Sequence, residues 1–207
     1  MCGRYVLTQN LAEICAAFMA TSNLPGFAAH YNIAPESRRP IVVKDRLGEG
    51  TWGWPVAPTY SPVINIRSEG MADKPMFARS VEMGRRCVIP ASGFYEWDND
   101  GQPFYVHAPD APLLGLCGLW TKDENDAVRF GIVTRAALPH LAPVHPRMPL
   151  IMEPAQAKDW LTVGKLPEPP TLEIYPVGKG VNVATNDGPA LIDAMAGAPQ
   201  GNLFMAG

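Results

Sequence analysis

The sequence has no uninterrupted apolar run of about 18 residues, the minimum for a helix that spans a bilayer. Its first ten residues, MCGRYVLTQN, include an arginine but no apolar stretch, so they lack the pattern of a secretory signal, and a cytoplasmic protein with no membrane partner is expected. Charge is scarce: Asp, Glu, Lys and Arg make up 18% of 207 residues, with a net charge of −3. That excludes a solvated tail or a coiled coil. It also argues against a broad, non-specific nucleic-acid binder, though a local basic groove stays open. Only four cysteines occur, Cys2, Cys15, Cys87 and Cys117, with no CxxC pair and no His/Cys cluster at zinc-ligand spacing. In a reducing compartment these are free thiols, and neither a metal nor any other cofactor is implied. Walker A, Rossmann, GxSxG, SxxK and HExxH patterns are absent, which leaves nucleotide-cofactor, serine-hydrolase and zinc-protease readings without support.

What the chain does have is apolar content and punctuation. Hydrophobic residues reach 47%, enough for a full core, and 22 prolines and 19 glycines cut the chain into short pieces. The pattern predicts an α+β, β-rich domain of about eight strands and a few short helices, spanning residues 1–207 with the last ten or so loose. Strands are expected at 3–8, PIVVK, TWGW, RRCVIP, GFYEW, PFYVHA, LLGLCGLW, VRFGIVT and EIYPVGKGVNVA. Leu11, Ile14, Cys15 and Phe18 recur at helical spacing in a helix over 9–20, capped by Thr8 or Asn10. Further short helices are expected from 153 and at GPALIDAM. Residues 58–80 have no clear period and read as a long irregular loop, which in a compact domain is usually functional.

Several residues carry chemistry. Loss of Met1 would leave Cys2 with a free α-amine and a thiol, ordinarily titrating near about 8 and 8.5, so that a minority of each is nucleophilic near neutrality. Such an aminothiol can condense with an aldehyde through its amine and close a five-membered ring through its sulfur. Glu96 sits among aromatics in GFYEW and shares a strand face with Phe94 rather than with Tyr95 or Trp97. There it is either a desolvated general acid–base or an edge charge facing water. His145, held between prolines in PVHPRMP, is a candidate proton relay. Asn65 and Arg67 in VINIRSEG fall on one face of an extended segment, where an amide and a guanidinium can orient a sugar and a phosphodiester. Trp52, Trp54, Tyr60 and Trp97 offer stacking faces, with Trp52 and Trp54 assigned first to the core. Eleven of the seventeen basic residues are arginine, the better bidentate phosphate ligand.

Together these segments resemble the SRAP family, the SOS response-associated peptidases. The resemblance rests on MCGRY, YNIAPES, WGWPVAP, NIRSEG, RRCVIPASGFYEW, LCGLW, HPRMPLIM and NDGPALI, which span nearly the whole chain in the family's order. It implies a single SRAP-type domain with a positively charged groove for single-stranded DNA containing abasic sites, acting as a monomer and nucleoid-associated during DNA damage. It implies that Cys2 forms a thiazolidine crosslink with the ring-opened abasic aldehyde, shielding the lesion. Asn65 would position the deoxyribose or the nucleophile, Glu96 would serve as general acid–base, and His145 would assist proton transfer. Arg4, Arg67 and Arg147 would hold phosphates and Trp97 would stack on a base or wedge between bases. A lyase-type activity and autopeptidase processing, of Met1 or a propeptide, are also implied.

Two features depart from the family's pattern: VAPTYSP, with only Tyr60, stands where some bacterial members carry a tryptophan pair, and the chain is mildly acidic. A cysteine peptidase or amidohydrolase using the same N-terminal nucleophile is the alternative expectation, and a non-catalytic reader of damaged DNA is a third.

Overall fold

The computed structural model describes residues 2–56 and 60–197. The expectations about loss of Met1, about residues 57–59 of VAPTYSP and about a loose C-terminal tail lie outside the described residues. Strands dominate. In chain order they are β1 (Arg4–Leu7), β2 (His30–Ile33), β3 (Arg38–Val43), β4 (Arg46–Trp52), β5 (Asn65–Arg67), β6 (Arg86–Ala91) and β7 (Gly93–Trp97). They continue as β8 (Pro103–His107), β9 (Leu114–Lys122), β10 (Val128–Ala136), β11 (Arg147–Pro149), β12 (Ile151–Met152) and β13 (Glu173–Pro176). Three α-helices, α1 (Leu11–Phe18), α2 (Pro75–Glu82) and α3 (Ala157–Val163), and three short 3₁₀ turns complete the described chain. The β-rich α+β class is as expected. Among the described residues no helix is long and apolar enough to cross a membrane.

The strands form two systems. One is a five-stranded sheet ordered β13-β8-β7-β1-β2. The other runs β10-β4-β3-β6-β9 and then returns, because β9 also pairs with β10, so these five strands close on themselves as a barrel. Closure removes sheet edges, and side chains fill the small interior. Trp52, Ile89, Leu116, Phe130 and Ile132 are fully buried and, by the strand register, share one face of the barrel wall. Small residues allow the close approach: a Cβ on Gly118 would lie 2.5 Å from Ile89 Cδ1 and 2.8 Å from Cys87 Sγ.

Local sequence explains the elements that hold the amino-terminal end. In α1 the side chain of Asn10 accepts from the N–H groups of Ala12 and Glu13, while Glu13 accepts from the N–H of Asn10, a reciprocal cap that fixes where the helix begins. Ile14 and Phe18 turn into the core. On β1, Tyr5 and Leu7 join the main core, whereas Val6 joins a second cluster with Tyr95, Tyr105, Val177 and Val181 on the far face of the five-stranded sheet. Thus the segment after β13, expected as continuing strand, instead leaves the sheet and covers its outer face. Asn32 pins it, donating to the carbonyls of Val181, Val183 and Asn186.

The irregular loop expected over 58–80 is corrected by β5 and α2. β5 is three residues long, too short to show a period, and α2 starts at a proline after Lys74, which makes no side-chain cap. Pro75 at the first helical position was the available signal.

Replacement of Gly118 by Ala should force the β6–β9–β10 wall apart and lower unfolding free energy by about 1–3 kcal/mol in a urea titration. An unchanged midpoint would show that the barrel interior has slack at that point.

Candidate active site

Cys2 lies just ahead of β1, and β1 is an interior strand with β7 on one side and β2 on the other. The register sets Arg4 opposite Tyr95 and Tyr5 opposite Phe94, which carries the chain's start alongside Glu96 and Trp97. The terminus is therefore anchored by sheet pairing rather than frayed. Asn65 adds a second anchor: its Nδ2 donates to the carbonyl of Cys2 at 2.8 Å. Because a carbonyl can only accept, this bond fixes the amide's orientation and points Oδ1 the other way. That oxygen is buried and has no donor among the described residues. The side-chain Nε atoms of Arg4 and Arg147 are in the same condition. Buried polar atoms without partners are uncommon in folded proteins; Tyr5, Asn32, Arg86 and Trp120 also carry one, outside the residues singled out for ligand contact.

Burial sets the charge states. Cys2 is fully buried and its thiol is pushed well above its usual pKa, first by desolvation and then by the field of Glu96. The thiol is thus neutral near pH 7, which corrects the expectation of a useful thiolate minority. Glu96 is 4% exposed and burial raises its carboxyl to about 7. It lies on an interior strand, not a solvent edge, and alternation places it with Phe94 of the main core while Tyr95 and Trp97 face the outer cluster. A carboxyl near pKa 7 beside a protonated thiol is matched to taking and returning a proton at neutral pH. His145 is half-buried, with Nδ1 3.0 Å from both the N–H and the carbonyl of Arg147. Desolvation lowers its pKa, so the ring is neutral.

The candidate DNA ligands divide into two groups. β5 pairs in parallel with β10, placing Asn65 opposite Ile132 and Arg67 opposite Thr134, with Ile66 buried between them. Asn65 and Arg67 do share a face, and Arg67 is exposed. Arg147 reaches the same end of the barrel, where Nη2 donates to Thr134 O at 2.7 Å. Arg4 and Trp97 alternate onto the outer face, where the indole N–H of Trp97 donates to Asn182 Oδ1 at 2.7 Å. The fold therefore does not bring Trp97 to the face that carries Glu96. Trp52 and Trp54 are core, as assigned, and Tyr60 is exposed.

Two contacts were missed. Arg147 forms a two-pronged ion pair with Glu69, at 2.8 Å for each prong. Asn182 holds Trp97 from 85 residues away. Glu69 lies within the NIRSEG segment, so it was visible, but nothing local identified its partner.

Comparison with known proteins gives a consistent picture. The family described as SOS response associated peptidase (SRAP) matches residues 1–184. The abasic site processing protein YoqW of Bacillus subtilis is 29% identical, over 94% of this chain and 100% of its own. YobE of the same species, also an abasic site processing protein, is 31% identical over 78% of this chain and 82% of its own. The Escherichia coli abasic site processing protein YedK is 28% identical over 78% and 79%. A crystal structure of a protein from Bacteroides thetaiotaomicron superposes with a TM-score of 0.80 at 19% identity, covering 94% of this chain and all of that one, a likeness of fold.

The raised pKa of Glu96 has a stability consequence. Below its ordinary value of 4.5 the carboxyl is neutral folded or unfolded; between 4.5 and about 7 the unfolded chain ionises first, so folding stability falls as pH rises, and it levels above about 7. Relative to Glu96→Gln, the wild type should lose on the order of 3 kcal/mol across that window. Denaturant midpoints for both proteins from pH 4 to 8 read this directly, and parallel curves would contradict the desolvated carboxyl.

Proposed function

The chain belongs to the SOS response associated peptidase (SRAP) family, and from that premise we propose that it processes abasic sites in single-stranded DNA by a covalent link to Cys2. The observation that carries this reading is the placement of Cys2 against two groups suited to the chemistry: Asn65 on its carbonyl at 2.8 Å and the raised carboxyl of Glu96 in its electrostatic field.

With Met1 removed, the α-amine of Cys2 adds to C1′ of the ring-opened deoxyribose. A C–N bond forms and the aldehyde oxygen gains a proton. Glu96, protonated in part near pH 7, donates to that hydroxyl as it leaves as water, giving an imine. The Cys2 sulfur then adds to the imine carbon while its proton is taken up by the carboxylate, and the nitrogen recovers a proton. The product is a five-membered thiazolidine, with one water released. Burial holds the thiol protonated until the imine exists, which favours amine attack first. Asn65 Oδ1 is oriented to accept from the amine or a sugar hydroxyl. His145, neutral at this pH, can pass protons between Glu96 and the sugar. Arg67 and Arg147 lie where phosphates flanking the lesion would pass, and Arg4 and Trp97 would meet the strand on the other side of the terminus. Autopeptidase and lyase steps would use the same Cys2 and Glu96.

Mixing the purified protein with an abasic single-stranded oligonucleotide should give one covalent adduct by intact mass spectrometry, smaller by one water than the sum of the parts. Cys2→Ala should abolish it and Glu96→Ala should slow it by roughly 10²-fold or more. A chain that keeps Met1 or a tag before Cys2 should fail to form the ring. Turnover of a small amide with no DNA adduct would overturn the proposal in favour of the amidohydrolase alternative, and an adduct surviving Cys2→Ala would overturn the role of Cys2.

A further inference from the structure

Glu69 follows β5 by two residues, and its carboxylate closes a fork on the guanidinium of Arg147, Oε1 to Nη1 and Oε2 to Nη2, each at 2.8 Å. Nη2 is also used by Thr134, with O at 2.7 Å and Oγ1 at 3.2 Å, and Nε is buried away from solvent. The outward-facing fork of Arg147 is therefore fully taken. The two partners differ in exposure: the Arg147 side chain is 15% exposed and that of Glu69 58%. The arginine is fixed to the barrel end by Thr134, whereas the carboxylate approaches from water and can leave into it.

A carboxylate and a phosphodiester present the same monoanionic pair of oxygens to a guanidinium fork. Hence a strand that places a phosphate on Arg147 must first displace Glu69. We propose that Glu69 is a built-in competitor for the DNA phosphate at Arg147, weakening the grip on ordinary single-stranded DNA and so leaving retention of the strand to the covalent step at Cys2. This rests on the reading of Arg147 as a phosphate ligand given above. The exchange swaps one anion for another at the guanidinium, so it adds little net attraction. It also frees a carboxylate beside the incoming phosphate, where it gathers a cation and offsets the counterions that the DNA releases. The low pKa of Glu69, held at about 2 chiefly by its hydrogen bonds from Arg147, keeps the competitor charged throughout the physiological range.

The salt dependence of binding separates competition from a supporting role. Glu69→Gln, and Glu69→Ala as a second variant at this exposed position, should bind an undamaged single-stranded oligonucleotide about two- to fivefold more tightly than wild type. The slope of log affinity against log salt should steepen by up to about 0.7, the value for one further neutralised phosphate on a single strand. Both gains should vanish in an Arg147→Ala background. Weaker or unchanged binding with no steeper slope, in a wild type that still crosslinks abasic DNA, overturns the competitor role and leaves the proposed function standing; so does a gain that persists without Arg147. A wild type that neither binds single strands nor crosslinks overturns both.

Discussion

The pairing of the first strand inside a sheet governs the rest of this structure. β1 sits between β7 and β2, so the residue just before it cannot move without breaking ladder hydrogen bonds on both sides. A chain terminus is ordinarily the least ordered part of a domain. Here it is a fixed point, and the amide of Asn65 holds it from the barrel side. The same pairing brings Glu96 beside Cys2, because β7 is the strand that carries both the register partner of Arg4 and the carboxylate. Cys2 and Glu96 are thus placed by backbone geometry, which is stiffer than any loop.

Burial then does the electrostatic tuning. Desolvation raises the thiol and the carboxyl together and lowers the imidazole. All three are pushed toward neutrality, a state in which protons can be exchanged at little cost and no buried charge stands unopposed. Arg67 and Arg147 are stationed at the rim, Arg67 in the open and Arg147 under an anionic cover.

Much of this was legible in the sequence, for identifiable reasons. Alternation placed Glu96 with Phe94, and Asn65 with Arg67, because strand periodicity is a local property that tertiary contacts did not disturb. The helix expected over 9–20 followed from its apolar spacing, with Thr8 or Asn10 as the cap; it runs Leu11–Phe18, and Asn10 is the cap. The motifs from MCGRY to NDGPALI named the family. Three things were not legible. β5 is recruited by β10, whose register partners lie 67 residues later, and carries too few residues to announce itself. The ionisation of Cys2 depends on complete burial, which no local pattern encodes. The partners of Trp97 and Arg147, Asn182 and Glu69, are distant in the chain, and a single sequence holds no record of which polar groups meet.

The order of the strands in the chain also sets a clock. β1 is made first, but its neighbour β7 begins only at Gly93. At ordinary synthesis rates of about 5–20 residues per second, the first residues wait on the order of 5–20 seconds before that half of their docking site exists. During that interval the segment that carries Cys2 has no sheet to join on that side and stays accessible. Afterwards Cys2 is sealed in the core. Order of synthesis therefore divides the life of this segment into an open interval and a closed one, with completion of β7 as the boundary between them.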